Sequence, residues 1–479
     1  MNYSIIRYIL CWVLEFQALF LALPCIVAVC YGEKQGWMFL FVAVGCFAVG
    51  ALGRLKKAKS DVFYAREGFV TVSLSWIIMS LTGALPFFLT GEFDTYTDAL
   101  FETISGFTTT GASILSDVEA LSRCTMFWRC FTHWIGGMGV LVLILAVLPL
   151  AGGYNMYLMR AESPGPTVGK LVPRVRHTAR ILYEMYVLMT IVEIITLLLA
   201  GMPLYDSITL SFGTAGTGGF GLLNTGAAEY TATVQIILTV FMILFGINFN
   251  VYFLIRERKG LAALKHEEMR YYLGVIAVAI LLITVNVREF FTTIGETVRH
   301  VAFQVASIIT TTGFSTTDFN KWPEFSKFIL VILMFVGACA GSTGGGIKIS
   351  RVMIMAKLAK NEFSHLIHPK RVRQISLEKH VVNKETLRSI SVFFIAYTFI
   401  YATSVLLISL DNLDFTTNFT AVAATLNNIG PGLGMVGPTS NFSVYSDPAK
   451  YVLMFDMLAG RLELFPMLLL FAPSTWKRN

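Results

Sequence analysis

The chain has 479 residues, of which 55% are hydrophobic and 14% are charged, and its mean hydropathy is +0.66. A water-soluble domain of this size needs far more charge on its surface, so the composition excludes a soluble domain and predicts a membrane protein. The formal net charge of +7 does not indicate a nucleic-acid partner, because its location in alternate loops accounts for it.

The apolar residues are concentrated in ten segments, each about long enough to cross a bilayer. They lie near residues 5–31, 36–53, 68–90, 124–150, 180–201, 232–255, 271–287, 325–356, 386–410 and 449–471. The first is too long for the apolar region of a cleavable signal peptide, so we interpret it as a membrane span. The seven cysteines lie mostly inside these segments without metal-ligand spacing, and we interpret them as small buried hydrophobic residues.

Lysine and arginine crowd into every second loop between these segments. The basic groups lie at 54–66, 160–180, 256–270, 357–388 and 477–478. The loops between them are poor in basic residues and carry acidic ones such as Asp94, Asp117 and Glu119. Because loops that stay in the cytoplasm are enriched in lysine and arginine, and because the number of spans is even, both termini are predicted to be cytoplasmic.

The eight segments after the first two form four pairs, and each pair encloses a polar loop that contains glycine. The loops are "FTTTGAS", "AGTGGFG", "ITTTGFS" and "NNIGPGL", which align on Gly111, Gly218, Gly313 and Gly430 at intervals of about 100 residues. An apolar stretch of about ten residues, too short to span a bilayer, precedes each loop and starts near an acid or hydroxyl residue able to cap a helix. The sequence therefore predicts four copies of one unit: span, half-helix, loop, span.

Loops of this kind suit a cation pathway. A backbone that leaves the helix at membrane depth is tolerated only where it is buried in protein or lines a water-filled path. Glycine permits positive φ, threonine adds a hydroxyl oxygen, and four loops around one axis provide rings of oxygens that replace the hydration shell of a cation. A half-helix that enters from outside also points its partially negative C-terminus at the pore centre. A single loop would be interpreted as a re-entrant turn or a close helix crossing, but four copies favour a filter. The predicted ion-binding residues are Thr110, Gly111, Thr217, Gly218, Thr312, Gly313, Ile429 and Gly430.

The eighth apolar segment is interrupted by the stretch "GACAGSTGGGIKIS", through which a helix cannot run unbroken. A packing face of the Gly-x-x-x-Gly kind would explain Gly337 and Gly341. Three consecutive glycines exceed what packing requires and favour a flexible intramembrane loop that obstructs the pore. The predicted gate residues in this loop are Gly344, Gly345 and Gly346.

Two basic residues lie within apolar segments. Arg461 stands in the last one, where an arginine costs about 2.5–3.5 kcal/mol on insertion scales. It either forms a buried pair with Asp456 or Glu463, or places its charge in the permeation path as a further gate residue. Lys348 is either a second pore-facing charge or a side chain that extends to the membrane surface.

These motifs resemble those of the bacterial Trk/Ktr and plant HKT superfamily of potassium transporters. The resemblance rests on the four loops, on "GACAGSTGGGIKISR" at 337–351 and on "AGRLEL" at 459–464, and it covers nearly the whole chain. The two additional N-terminal spans make the chain similar to the Trk-type membrane subunit rather than to the shorter Ktr type. Members with a serine in place of the first filter glycine prefer sodium, so Gly111 implies potassium as the substrate.

The resemblance also implies gate roles for the glycine-rich loop and for Arg461. It implies a homodimer in which each protomer has its own pore. It further implies a cytosolic nucleotide-binding regulatory subunit of the TrkA type, which docks on the basic cytoplasmic loops, and a location in the bacterial cytoplasmic (inner) membrane.

The sequence thus predicts an all-α polytopic membrane protein embedded in lipid, with no cofactor and no enzymatic activity. Two additional helices in residues 1–60 precede four pore repeats at 61–160, 161–260, 261–376 and 377–479 around a pseudo-four-fold axis. We expect channel-like potassium uptake. A proton- or sodium-coupled potassium symporter is an alternative, which the four-fold repeat without inverted symmetry disfavours. A membrane-embedded enzyme is disfavoured because the sequence contains no facing catalytic pair.

Overall fold

The structure is a computed structural model, and it describes residues 1–56, 64–139, 175–369, 374–378 and 380–477. Most of these residues are helical, and the one sheet that they contain is a two-stranded hairpin. The predicted class, an all-α polytopic membrane protein, is therefore confirmed. The predicted unit boundaries at 60 and 160, and several basic residues of the first two groups, lie outside the described residues.

Two long helices precede the repeated units, namely α1 (Tyr3–Tyr31) and α2 (Gly36–Leu55). The first unit contains α3 (Ala65–Leu89), α4 (Tyr96–Phe107) and α5 (Arg123–Met138). The second contains α6 (Val175–Leu199), α7 (Leu204–Gly216), α8 (Ala232–Phe245) and α9 (Phe249–Arg256). A short connecting helix, α10 (Gly260–Leu264), follows.

The third unit contains α11 (Glu267–Asn286), α12 (Ile294–Ile309), α13 (Glu324–Val336) and α14 (Ile349–Ile367). The hairpin of β1 (Ser376–Leu377) and β2 (His380–Val381) joins it to the fourth unit. The fourth unit contains α15 (Lys384–Ile408), α16 (Phe415–Leu426), α17 (Asp447–Arg461) and α18 (Phe465–Phe471), and α19 (Pro473–Trp476) follows. Short 3-10 turns lie at Arg288–Phe290, Phe319–Lys321, Ser409–Asp411, Gly434–Val436 and Phe442–Val444.

Six helices in the described part of the chain are long and apolar enough to cross a membrane by themselves. They are α1, α2 and the first helix of every unit. The other four predicted spans are the second helices of the units. In the first unit α5 ends at Met138, and residues 140–150 of its predicted span lie outside the described residues.

The remaining three second helices are broken, which corrects the prediction that 232–255 and 449–471 are continuous spans. Helices α8 and α9 meet at an angle of 89°. Asn248 causes this break by capping α9, since its side chain accepts a hydrogen bond from the Asn250 amide at 3.0 Å. Helix α17 ends before Glu463 and Leu464, whose φ angles are +60° and +67°. Only the break in 325–356 was predicted, and it spans residues 337–348.

The four short helices α4, α7, α12 and α16 match the predicted half-helices. Thr95, Thr293 and Asp414 cap three of them by accepting a hydrogen bond from the third helical amide, as predicted. The second short helix differs, because Pro203 stands at its cap position and makes no side-chain bond. All residues of α4 from 99 to 107 are buried. The outer face of α2 instead exposes large apolar side chains such as Trp37 and Phe41, so the short helices lie inside a shell of lipid-facing helices.

Candidate ion pathway

The chain leaves each short helix through the same backbone turn. A non-glycine residue with left-handed φ is followed two positions later by a glycine with positive φ. These pairs are Thr109 (+55°) with Gly111 (+77°), Thr217 (+56°) with Gly219 (+77°), Thr311 (+60°) with Gly313 (+87°), and Asn428 (+55°) with Gly430 (+97°). The residue between them donates its backbone amide to the carbonyl five positions earlier, at 2.8 Å in all four loops. The four loops therefore share one conformation.

This conformation corrects the register of the second loop. Gly219, and not Gly218, has the positive φ that Gly111 has in the first loop. Gly218 makes the amide hydrogen bond to Gly213 that Thr110 makes to Ser105, so Gly218 is equivalent to Thr110. The predicted pair of Thr217 and Gly218 is thus shifted by one position. Gly218 and Gly219 both fit the sequence pattern, but only Gly219 adopts the positive φ of the turn.

The four positive-φ glycines lie at contacts between neighbouring loops. A Cβ atom placed on each glycine would overlap a carbonyl oxygen of the next loop or approach it within 2.8 Å. The contacts run from Gly111 to Gly218, from Gly219 to Thr312, from Gly313 to Ile429 and from Gly430 to Thr110. The first loop thus contacts the second, the second the third, the third the fourth and the fourth the first. We call this closed arrangement the loop ring, and the carbonyls of Thr110, Gly218, Thr312 and Ile429 lie at its four contacts.

Side chains behind the loop ring brace it. The hydroxyl groups of Thr108 and Thr110 lie 2.8 Å apart, and those of Thr310 and Thr312 lie at the same distance. The Asn428 amide donates to the Thr110 hydroxyl at 2.9 Å and so joins the fourth loop to the first. All five side chains are fully buried. The threonine hydroxyls are therefore engaged in the support of the ring, and its oxygens at the four contacts are backbone carbonyls.

His133 connects the first short helix to the second loop. Its Nδ1 lies 2.8 Å from the Gly106 carbonyl oxygen, and its Nε2 accepts a hydrogen bond from the Phe220 amide at 3.2 Å. Because Nε2 accepts, the proton must be on Nδ1, which donates to Gly106. This fully buried ring fills the space beside Gly218, where a Cβ atom would overlap it.

A buried ion pair connects the segments that directly follow the first and second loops. Arg129 donates through Nε to Glu102 at 2.6 Å and through a terminal nitrogen to the Gly221 carbonyl at 3.0 Å. Glu102 also accepts from the Ser113 hydroxyl and from the Ile114 amide, each at 3.0 Å. Sequence reasoning missed this pair. Its signal was a glutamate inside an apolar short helix and an arginine inside a predicted span.

We expect Arg129→Gln to lower the stability of the folded protein by about 3–5 kcal/mol, because it leaves the Glu102 carboxylate buried without its charged partner. Arg123→Gln is the matched control, since the Arg123 side chain is 53% exposed and lies 3.8 Å from Asp206. An exposed pair of this kind contributes about 0–1 kcal/mol. Thermal unfolding of both detergent-solubilised variants measures the difference. Equal melting temperatures would mean that the buried pair is not needed for stability.

The loop ring opens on one side into a cavity of about 230 Å³, lined by residues from all four loops. Asn224, in its wall, donates to the Asp117 carboxylate at 2.8 Å. This bond, together with one from the Glu119 amide, holds the pKa of Asp117 below its usual value. Asp117 therefore stays ionised beside the opening, where a negative charge raises the local concentration of cations.

The glycine-rich loop, residues 337–348, lies at the other end of the loop ring. The Gly345 amide donates to the Thr311 hydroxyl at 2.6 Å. A Cβ atom on Gly344 would lie 2.9 Å from the Thr310 carbonyl oxygen, and one on Gly345 would lie 3.0 Å from the Asn428 Cβ. The loop therefore contacts the third and fourth members of the ring where they leave their short helices.

Arg461 attaches this loop to the first unit. Its guanidinium donates to the Thr343 carbonyl at 3.0 Å and to the Gly137 carbonyl at 2.8 Å, and it also donates to the carbonyl of Gly136. These three carbonyls belong to the glycine-rich loop and to the last turn of α5. Arg461 thus places a positive charge between the loop and the neighbouring second helix.

The two carboxylates considered as partners for Arg461 are bonded to other side chains. Glu463 forms an ion pair with Arg351, and Asp456 accepts a hydrogen bond from the Ser404 hydroxyl at 2.7 Å. Lys348 is 2% exposed, and its ammonium group donates to a carbonyl of the glycine-rich loop. The interpretation that Lys348 extends to the membrane surface is therefore wrong.

Comparison with known proteins identifies the family. The sequence profile of the TrkH family, described as "Cation transport protein", matches residues 37–478. The chain is 36% identical to the Trk system potassium uptake protein TrkH of Salmonella typhimurium, with 95% of each chain covered. It is 34% identical to the protein of the same name from Halomonas elongata, with 100% of each covered. Its fold is similar to the crystal structure of the potassium transporter TrkH from Vibrio parahaemolyticus, with a TM-score of 0.89, 31% identity and 100% coverage of both chains. The chain belongs to the TrkH family of cation transport proteins.

Proposed function

We propose that this protein takes up potassium through a channel-like pore whose selectivity filter is the loop ring. The observation that carries the proposal is the closed contact of four loops, with a backbone carbonyl at every contact. Carbonyl oxygens arranged around one axis replace the hydration shell of a potassium ion. The potassium assignment is supported by the relatives, which carry the name potassium uptake protein. The proposed filter residues are Thr110, Gly111, Gly218, Gly219, Thr312, Gly313, Ile429 and Gly430, so Gly219 replaces the predicted Thr217, which supports the turn of the second loop.

The short helices add an electrostatic contribution to this filter. Each ends directly before its loop, so four partially negative helix C-termini converge on the ring. None of the four carries a basic residue in its last turn that would neutralise this potential. Three of them carry an acidic residue in the first turn, where it stabilises the opposite end. A dehydrated cation in the ring is stabilised by this arrangement.

The proposed gate consists of the glycine-rich loop, with Gly344, Gly345 and Gly346, and of Arg461. Contact of the loop with Thr311 and with Asn428 supports a position in which it obstructs the inner end of the ring. The positive charge of Arg461 then adds an electrostatic barrier beside the obstruction. Opening requires that the loop leave the ring.

The membrane location, topology and assembly of the protein are part of the same proposal. We propose a multi-pass protein of the bacterial cytoplasmic membrane with both termini cytoplasmic, supported by the alternation of basic and acidic loops. The proposal includes the four pore repeats at 61–160, 161–260, 261–376 and 377–479. It also includes a homodimer with one pore in each protomer, and a nucleotide-binding regulatory subunit of the TrkA type. The names of the relatives, which refer to a Trk system, support a role within a larger assembly.

Flux through the purified protein in liposomes tests the function. We expect potassium to run down its own gradient at the same rate whether or not a proton or sodium gradient is present. Coupled symport predicts instead that an opposing proton or sodium gradient stops or reverses potassium movement. Potassium flux that depends on such a gradient would replace the channel-like mechanism by the symporter.

Deletion of residues 343–345 is expected to raise potassium flux several-fold, because it removes the Gly345 contact with Thr311 and the carbonyl to which Arg461 donates. Replacement of residues 344–346 by alanine is expected to lower flux. A Cβ atom on Gly346, at φ +75°, would lie 2.9 Å from Gly337 and stiffen the loop. Liposome flux, normalised to folded protein, measures both variants. Unchanged flux in both would leave the loop with a packing role only.

A further inference from the structure

One buried carboxylate holds the glycine-rich loop. Glu268, the second residue of α11, is 3% exposed. One of its oxygens accepts a hydrogen bond from the Ala340 amide at 2.7 Å, and the other accepts from the Asn248 side-chain amide at 3.2 Å. The first of these bonds attaches the glycine-rich loop to the first turn of α11.

The same carboxylate lies where the loop meets the break between α8 and α9. The Cys339 amide donates to the Gly246 carbonyl at 3.1 Å, and the Phe249 amide donates to the Gly341 carbonyl at 3.0 Å. The two irregular segments thus satisfy each other's backbone groups, and Glu268 bonds to both. Thr311 and Arg461 hold the loop further along, at Gly345 and Thr343, so loss of Glu268 weakens its attachment at Ala340.

Glu268 is also connected to the surface. Its backbone amide donates to the Glu378 carboxylate at 3.0 Å. Glu378 lies in the β1–β2 hairpin between the third and fourth units, and the same oxygen lies 3.0 Å from His266 Nδ1. Lys357, on α14, also binds the hairpin by donating to the Ser376 carbonyl at 2.9 Å. The hairpin itself is exposed, with Val381 at 58%.

We propose that Glu268 is a positioning residue that couples the β1–β2 hairpin to the glycine-rich loop. A displacement of the hairpin that withdraws Glu378 moves the first turn of α11, and with it the carboxylate that holds Ala340. The effect of this displacement on flux rests on the proposed gate role of the loop, but the mechanical coupling does not.

The loop contains its own reporter for this coupling. Cys339 is a free cysteine, fully buried, and adjacent to Ala340. In a background in which the other six cysteines are replaced by serine, the rate at which a small hydrophilic maleimide alkylates Cys339 measures release of the loop. This measurement does not require ion flux.

Glu268→Gln is the first test variant. A glutamine keeps one acceptor oxygen but presents an NH₂ donor in place of the other, so either Ala340 or Asn248 loses its acceptor. Glu378→Ala tests the coupling from the hairpin, where the side chain is 30% exposed and loss of folding is not expected. Glu362→Gln, an exposed carboxylate on α14, is the matched control. We expect about tenfold faster alkylation of Cys339 in the first two variants and no change in the control.

Flux separates the coupling from the gate. Glu268→Gln is expected to raise potassium flux with unchanged selectivity, and to have no further effect when residues 343–345 are already deleted. Faster alkylation without a change in flux would support the coupling and overturn the gate role of the loop. Alkylation within twofold of the control in folded Glu268→Gln and Glu378→Ala protein would overturn the coupling. If Glu268→Gln does not fold, Glu378→Ala decides alone.

Discussion

Gly111→Ser is expected to reduce the preference for potassium over sodium by about tenfold or more. The backbone at Gly111 has φ +77°, which costs a residue with a Cβ atom about 1–2 kcal/mol. The added Cβ would also overlap the Gly218 carbonyl oxygen, so one of the four contacts of the loop ring must shift. A shift that disfavours bound potassium by about 1.4 kcal/mol changes a binding ratio tenfold. Reversal potentials in mixed potassium and sodium solutions measure the effect.

Gly91→Ser is the control for this experiment. Gly91 has nearly the same φ, +75°, but a Cβ atom on it would meet nothing within 4 Å. It therefore carries the same backbone cost without the contact to a neighbouring loop. Normal selectivity in Gly91→Ser and reduced selectivity in Gly111→Ser assign the effect to the ring. Unchanged selectivity in folded Gly111→Ser protein would remove Gly111 from the filter.

Arg461→Ala is expected to increase potassium flux by about tenfold or more. A cation that passes about 8 Å from the guanidinium is repelled by roughly 2 kcal/mol at an effective dielectric constant of about 20. Removal of that barrier corresponds to about thirtyfold in rate. The alanine also releases the Thr343 carbonyl and frees the glycine-rich loop from α5. Both effects raise flux, so a second and a third variant are needed to separate them.

Arg461→Gln removes the charge but keeps an amide that donates hydrogen bonds, whereas Arg461→Lys keeps the charge and loses the planar fork. If charge forms the barrier, the glutamine variant conducts like the alanine variant and the lysine variant stays near the wild type. If the bonds to Thr343, Gly136 and Gly137 matter more, lysine raises flux and glutamine has the smaller effect. Arg256→Ala, at an exposed arginine, controls for loss of charge elsewhere. Yield of folded protein is measured beside flux, and poor yield without faster flux per molecule would contradict the barrier.

The repeat was predictable because each of its features depends on the local sequence. A capping residue, a stretch too short to span, and a Thr-Gly turn recur four times, and each of these follows from the residues themselves. Pro203, at the second cap position, departs from the pattern without losing the helix, because packing against neighbours stabilises it. The register of the second loop was not predictable, because Gly218 and Gly219 are the same residue type. Only their conformations and contacts in the folded protein distinguish them.

The residues that sequence reasoning missed depend on contacts between distant parts of the chain. Glu102 and Arg129 are each unremarkable as a single polar residue in an apolar segment, and become a site only when α4 and α5 pack together. Glu268 lies before the predicted span at 271–287, and nothing in the local sequence indicates its bond to Ala340, 72 positions away. The break at Asn248 was hidden because a buried asparagine is more often a helix–helix contact than a helix start.

The closure of the loop ring has a consequence for biogenesis. The Asn428 amide and the Thr110 hydroxyl are 318 positions apart, and Gly430 completes the ring against the Thr110 carbonyl. Since a ribosome delivers the N-terminal units first, a nascent chain holds at most three of the four loops until residue 430 has been added. The last contact forms only after α16 has entered the bilayer. If the loop ring is the proposed filter, an unfinished chain therefore lacks a complete cation site.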